Sequence, residues 1–241
     1  MLDVDTMLKE YFQNTDEAND KPLMRAASSV LKKLFHQKEI NAFIETHQYL
    51  EGLEFNDAVL EHFNFTFQVS SKDRARIPDQ RRVLIVANHP LGSLDGLALL
   101  KLVSEIRTDV KIVATTLLNC IDPLKGLFLS VDNLAKSAHH RDSMNQIIQA
   151  LESEQAVILF PTGEVSRISP LGTMMLVNEM FNQKGSEISF RIGKPIPWES
   201  IAAMDLSKKA VAKLMRKQVY LLSQKKKKEL FKPIENIIHP V

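Results

Sequence analysis

The sequence predicts an α/β protein: a mixed, largely parallel sheet flanked by helices, with an N-terminal helical region before it. Three observations carry this reading. From residue 64 onward, short apolar runs alternate with amphipathic stretches, the order that builds a parallel sheet covered by helices. The runs "RRVLIVAN" and "AVILFP" are continuously apolar at their centres, as strands buried on both faces are. A chain of 241 residues, 44% hydrophobic, is long enough for one sizeable core with a helical appendage.

Residues 1–63 read as helices. In "KPLMRAASSVLKKLFHQKEINAFI", Leu23, Ala27, Val30, Leu31 and Leu34 fall on one stripe, with Arg25, Lys32, Lys33 and Lys38 nearby. Such a helix packs on a core or lies beside anionic lipid, and the pattern fits both. The remainder, 64–241, is expected to form the α/β domain. "FTFQV" alternates as a strand does, and "RRVLIVAN" is the next strand. "LDGLALLKLVSEI" follows as a helix, "VKIVAT" as a strand, and "DSMNQIIQALESE" as a helix. "AVILFP" is a further buried strand, and "TMMLVNEMFNQKG" a helix closed near Gly185. "EISFRIG" is the last strand, and "SKKAVAKLMRKQVYLLS" a C-terminal helix.

Charge and composition exclude several functions. A net charge of +2 is too mild to argue for nucleic acid. The single cysteine, Cys120, reads as a packing residue and suits a reducing compartment. No apolar stretch has the length of a spanning helix, and "MLDVDTMLKEYF" lacks the features of a signal peptide. Contact with a membrane would be peripheral. His139 and His140 are adjacent, a poor geometry for one metal, and no set has zinc spacing. The site is expected to hold no metal.

In open α/β sheets, sites lie beyond the carboxyl ends of strands. Two such ends are rich in polar residues: "NHPLGSLDG" after Val83–Ala87, and "FPTGEVSR" after Ala156–Leu159. Parallel neighbouring strands would turn both toward one crevice. Five residues separate His89 and Asp95, Pro90 and Gly92 among them to bend the loop. A histidine is a useful general base when a carboxylate fixes its tautomer and stabilises the imidazolium. Asp95 would sit in the first turn of the following helix, where a carboxylate is favoured. As a plain alternative, His89 is a loop residue and Asp95 a cap. Ser93 lies between the pair, but "LGSLD" is not G-x-S-x-G, and no phosphate-binding glycine motif occurs.

Taken together, "NHPLGSLDG", "LFPTGEVSR" and "RIGKPIPW" resemble the glycerolipid and lysophospholipid acyltransferase family over roughly residues 75 to 200. The likeness is to a bacterial branch that includes O-acyltransferases of amino-acid-containing lipids such as ornithine lipids. The resemblance implies His89 as general base and Asp95 as its orienting partner. It implies Glu164 and Arg167 as binders of the acceptor and its anionic head group, with Gly163 at a tight turn and Gly92 and Ser93 lining the substrate. Ile192, Gly193 and Pro195 match the late block on the acyl-donor side. Also implied are a lyso-lipid acceptor, acyl-carrier protein or acyl-CoA as donor with no resident cofactor, and a peripheral place on the cytoplasmic side of the inner membrane. An acidic carrier protein would find Lys208, Lys209, Lys213, Arg216 and the Lys225–Lys228 run, which otherwise form a solvated basic face. The rival readings are a hydrolase using Ser93 with His89, and a non-catalytic lipid- or carrier-binding module.

The chain departs from the family pattern in three places. H-x5-D replaces H-x4-D, an extra residue expected to be absorbed at Gly92. "GLFLSVDN" keeps Gly126 and Phe128 but has Val131 where the family often has arginine, which leaves room for an acceptor other than glycerol phosphate. Lys136 and Arg141 are the nearest compensating cations in sequence. Finally, the family has another strand, helix and loop between "VSRISPLG" and "TMMLVNEMF". A sheet without an interior strand is compromised, so a segment is expected to be missing near Gly172–Thr173.

Overall fold

The computed structural model describes residues 3, 5, 28–33, 36–115, 118, 121–131, 137–161 and 178–223. In chain order they form α1 (Gln37–Thr46), α2 (Gly52–His62), β1 (Thr66–Val69), the single turn α3 (Ser71–Arg74) and β2 (Val83–Val86). Next come α4 (Leu94–Ser104), β3 (Val110–Thr115), a 3-10 segment (Asp122–Leu127), β4 (Phe128–Val131) and α5 (Ser137–Glu152). The chain continues through β5 (Ala156–Leu159), β6 (Glu187–Phe190), α6 (Trp198–Ala202) and α7 (Lys208–Ser223). Residues 28–33 and 178–182 are also helical.

The α/β class is as predicted, and every pairing among the described strands is parallel rather than mixed. Four strands form one sheet in the order β2-β5-β3-β4, and β1 pairs with β6 in a second. β5 therefore inserts between β2 and β3. Its register sets Val83 opposite Ala156 and Val86 opposite Leu159 on one side, and Ile112 opposite Ile158 on the other. Ala156, Val157 and Ile158 have no exposed surface, which explains the unbroken apolar run.

α4 is the central helix. Leu94, Ala98, Leu100, Leu102 and Val103 are fully buried, so apolar residues cover most of its surface, and Lys101 on the partly exposed side pairs with Asp57 at 2.5 Å. It shares one cluster with Phe55, Val59 and Leu60 of α2 and with Val110 and Ile112 of β3. Asn56, itself fully buried, donates from Nδ2 to the carbonyl of Leu97 at 3.3 Å. The N-terminal helices thus share the core of the sheet domain.

At the amino ends of the strands, Arg107 acts as a clamp. It is 6% exposed. Its guanidinium donates to the carbonyls of Arg81 (2.7 Å), Pro78 (3.2 Å) and Glu154 (2.8 Å) and to both carboxylate oxygens of Asp109 (2.7 Å each). These groups lie just before β2, β5 and β3. The planar fork suits this multiple acceptance, and it sets the three strands in register at the end opposite the polar loops.

Local differences from the sequence reading have simple causes. The last strand stops at Phe190, because its partner β1 ends opposite it at Val69 and the chain turns into α3 at Ser70. α5 begins at Ser137 rather than Asp142. The elements α3, β4, α6 and the 3-10 segment are too short to give a period. The helix before Gly185 closes there at φ 77°, in the left-handed region that glycine favours. The junction at 172–173 and Cys120 lie outside the described residues.

Candidate active site

β2 and β5 are parallel neighbours, so their carboxyl ends emerge side by side. The pairing runs on one step, with the Ala87 N–H donating to the Leu159 carbonyl at 3.1 Å. Beyond it the chain enters "NHPLGSLDG" on one strand and Phe160 on the other.

Gly92 has φ 78°, a left-handed conformation that a side chain would disfavour. Ser93 is the N-cap of α4, and Asp95 lies in the first turn. Asp95 is 2% exposed. Its Oδ2 accepts the Leu91 N–H at 3.1 Å, and its Oδ1 accepts the Gly96 N–H, also at 3.1 Å. A buried carboxylate needs such partners, and here the loop and the helix N-terminus supply them.

His89 Nδ1 lies 3.0 Å from Oδ1 of Asp95. The nitrogen is buried, and its alignment falls short of a hydrogen bond. Catalytic contacts commonly tighten when substrate binds. The His89 side chain keeps 20% of its surface exposed. With Nδ1 turned to Asp95, Nε2 is the nitrogen left for a substrate.

The imidazole is held from a second side by Phe160. The two rings stack with centroids 4.2 Å apart and planes 16° from parallel. Gly96 completes the cradle: a Cβ there would lie 3.3 Å from His89 Cε1, 3.6 Å from Ile112 Cδ1 and 3.6 Å from Phe160 Cε2. Sequence reasoning named neither Gly96 nor Phe160 as a site residue. The signal for Gly96 was the glycine directly after Asp95. Phe160 opens the "FPTGEVSR" block that the sequence places at the crevice, but nothing there marked its ring as a partner of His89.

Ser93 Oγ is buried without a hydrogen-bond partner, and the side chain does not cap the helix. The late block sits on other supports. The Ile192 carbonyl accepts from Arg76 Nη1, which also pairs with Asp73 at 2.7 Å. Gly193 faces Leu222 of α7, where a Cβ would meet Cδ1 at 3.4 Å. Pro195 is exposed. Among the described residues, no hydrogen bond or ring contact ties Ile192, Gly193 or Pro195 to His89 or Asp95. Gly163, Glu164 and Arg167, like Lys136, lie outside the described residues. Arg141 is exposed on α5. Among the described residues there is no group of three or more potential metal ligands.

The sequence matches the model of a family described as acyltransferase over residues 17–174, more than half of the chain. Two curated relatives are both named lyso-glycine lipid O-acyltransferase. The one from Bacteroides thetaiotaomicron is 29% identical over 168 residues, which is 69% of this chain and 59% of that protein. The one from Phocaeicola vulgatus is 27% identical over 148 residues, 61% of this chain and 52% of that protein. The chain thus spans little more than half the length of the curated relatives it matches. No solved structure matches it.

Proposed function

The chain belongs to the acyltransferase family, of the glycerolipid and lysophospholipid type, and from that premise we propose that it moves a fatty acyl chain from a thioester to the hydroxyl of a lyso-lipid. The observation that supports this best is the His89–Asp95 contact, packed against Phe160 at the shared end of β2 and β5.

In this reading the acceptor hydroxyl sits against His89 Nε2. The oxygen attacks the thioester carbonyl while Nε2 takes its proton. Asp95 holds Nδ1 and stabilises the imidazolium. The tetrahedral intermediate collapses, the carbon–sulfur bond breaks, and the leaving thiolate recovers the proton from Nε2. Thiolate is a good leaving group, so no covalent enzyme intermediate is needed. The donor is acyl-carrier protein or acyl-CoA, which is consumed as substrate. Both relatives carry the name of a lyso-glycine lipid enzyme, which makes an amino-acid-containing lyso-lipid the first acceptor to try. Glu164 and Arg167, on the resemblance, receive its head group. Such an acceptor resides in a bilayer, so the working place is peripheral, on the cytoplasmic side of the inner membrane.

No Ser93–His89 hydrogen bond supports a hydrolase with Ser93 as nucleophile, and the assay below separates the two readings. The test is transfer of a labelled acyl group to lyso-glycine lipid, lyso-ornithine lipid and lysophosphatidate in parallel. A labelled diacyl product supports the reading. Thioester cleavage without acceptor, abolished by Ser93→Ala, would favour the hydrolase.

A further inference from the structure

α7 is built differently from the helices around the sheet. Its 16 residues include five cations, Lys208, Lys209, Lys213, Arg216 and Lys217, and no acid. All five cations are exposed. On the opposite side Val211, Leu214, Met215 and Leu222 are only half-buried. The helix is fastened at its end, where Leu222 lies over Gly193 and its carbonyl accepts from Arg191 at 3.4 Å.

Large apolar side chains lie bare in the same stretch. Trp198 is 70% exposed, Tyr220 54% and Leu206 42%. Tyr220 carries the Arg216 guanidinium 5.5 Å from its ring centre. A lone exposed apolar residue is ordinary on a protein surface, but here three lie in the stretch of chain that also carries the five exposed cations. At a bilayer interface, tryptophan and tyrosine sit at headgroup depth while lysine and arginine meet anionic phosphates. No described helix is long and apolar enough to cross a membrane, so the fit is to a surface.

We infer that Trp198 and the cationic face of α7 dock the protein on an anionic lipid bilayer. This rests on the reading of a lipid acceptor, and it names the surface that brings the enzyme to it. An acidic protein partner would use the same cations, and the transfer kinetics below tell it from a bilayer. Through Gly193 and Leu222, the docking helix abuts the late block that follows β6.

Trp198 is the one tryptophan in the chain, so it reports its own environment. The experiment titrates the full-length protein with vesicles of phosphatidylcholine, with and without phosphatidylglycerol. It follows tryptophan emission, quenching by bromine-labelled lipid, and co-sedimentation. The expected result is a blue shift, quenching and binding with the anionic vesicles only, reversed by high salt. Each cation at such a surface contributes about fivefold to partitioning, so Lys209→Gln, Lys213→Gln and Lys217→Gln together should weaken binding about 100-fold. A matching circular dichroism spectrum shows that the variant is folded, and Trp198→Ser, read by co-sedimentation, serves as a second variant.

Unchanged tryptophan emission at saturating lipid would overturn the inference, as would a triple variant that binds like the parent. So would a triple variant that keeps vesicle binding but needs more acyl-carrier protein for half-maximal transfer, which would assign the face to an acidic protein. His89→Ala separates this inference from the chemistry: it should lose transfer and keep vesicle binding.

Discussion

Gly96 lacks a side chain at the point where His89 needs the room. A methyl group there would stand 3.3 Å from His89 Cε1, closer than carbon atoms rest comfortably, and the imidazole is the easier group to displace. Gly96→Ala is therefore predicted to lower kcat roughly tenfold, since small misplacements of a reacting group are costly. Thermal stability should hold or rise, because alanine favours a helix over glycine. Steady-state kinetics beside a melting curve checks both. Asp95→Asn acts on the partner. The amide has one oxygen where two backbone N–H groups are received, and it cannot stabilise an imidazolium. Transfer should fall about 100-fold or more, with a stability loss of about 1–3 kcal/mol from the unmatched N–H. His89 and Asp95 were legible in the sequence because both stand in one short loop. The block that Phe160 opens was also placed at the crevice, but the stacking of its ring on His89 was not legible, because side-chain packing between two loops leaves no pattern in the sequence.

At the scale of elements, β3 coincides with its sequence prediction of Val110–Thr115, and β2 and β5 lie within theirs, because their apolar runs are continuous and sharply bounded. One-turn elements such as α3 carry too few residues to show a period. The Arg107 clamp was also hidden: nothing in "SEIRTDV" tells that one arginine holds three strand entries. Asp109 beside that guanidinium has its carboxyl pKa held below the ordinary value of 3.8, first by the hydrogen bond from Arg107. A lowered folded pKa contributes stability that is present above 3.8 and lost as pH falls through the folded value. Asp109 is 42% exposed on its side chain, so solvent screens the pair and its share is small. Most of what Arg107 contributes comes from the three backbone carbonyls it satisfies. Arg107→Ala should cost about 2–3 kcal/mol in denaturant unfolding at neutral pH. It should also weaken the dependence of stability on pH below 3.8.

For the molecule as a whole, clamp and site occupy opposite ends of the same strands. Arg107 fixes the amino ends of β2, β3 and β5, and the carboxyl ends of β2 and β5 carry His89 and Phe160. The parallel class was legible from alternation, but the separation into two sheets was not, because strand order is decided by long-range packing. Among the described residues, β2 is paired only with β5, and β6 only with β1. A further strand-bearing segment near Gly172–Thr173, proposed from the family resemblance, would find open parallel edges at both.

The decisive experiment is acyl transfer by the intact protein from a labelled acyl donor to lyso-glycine lipid, with His89→Ala alongside. With His89 as the base, a labelled diacyl product forms and falls roughly 100- to 10,000-fold in the variant, with folding unchanged. Equal turnover by the variant, or thioester cleavage with no acyl lipid formed, would contradict that role.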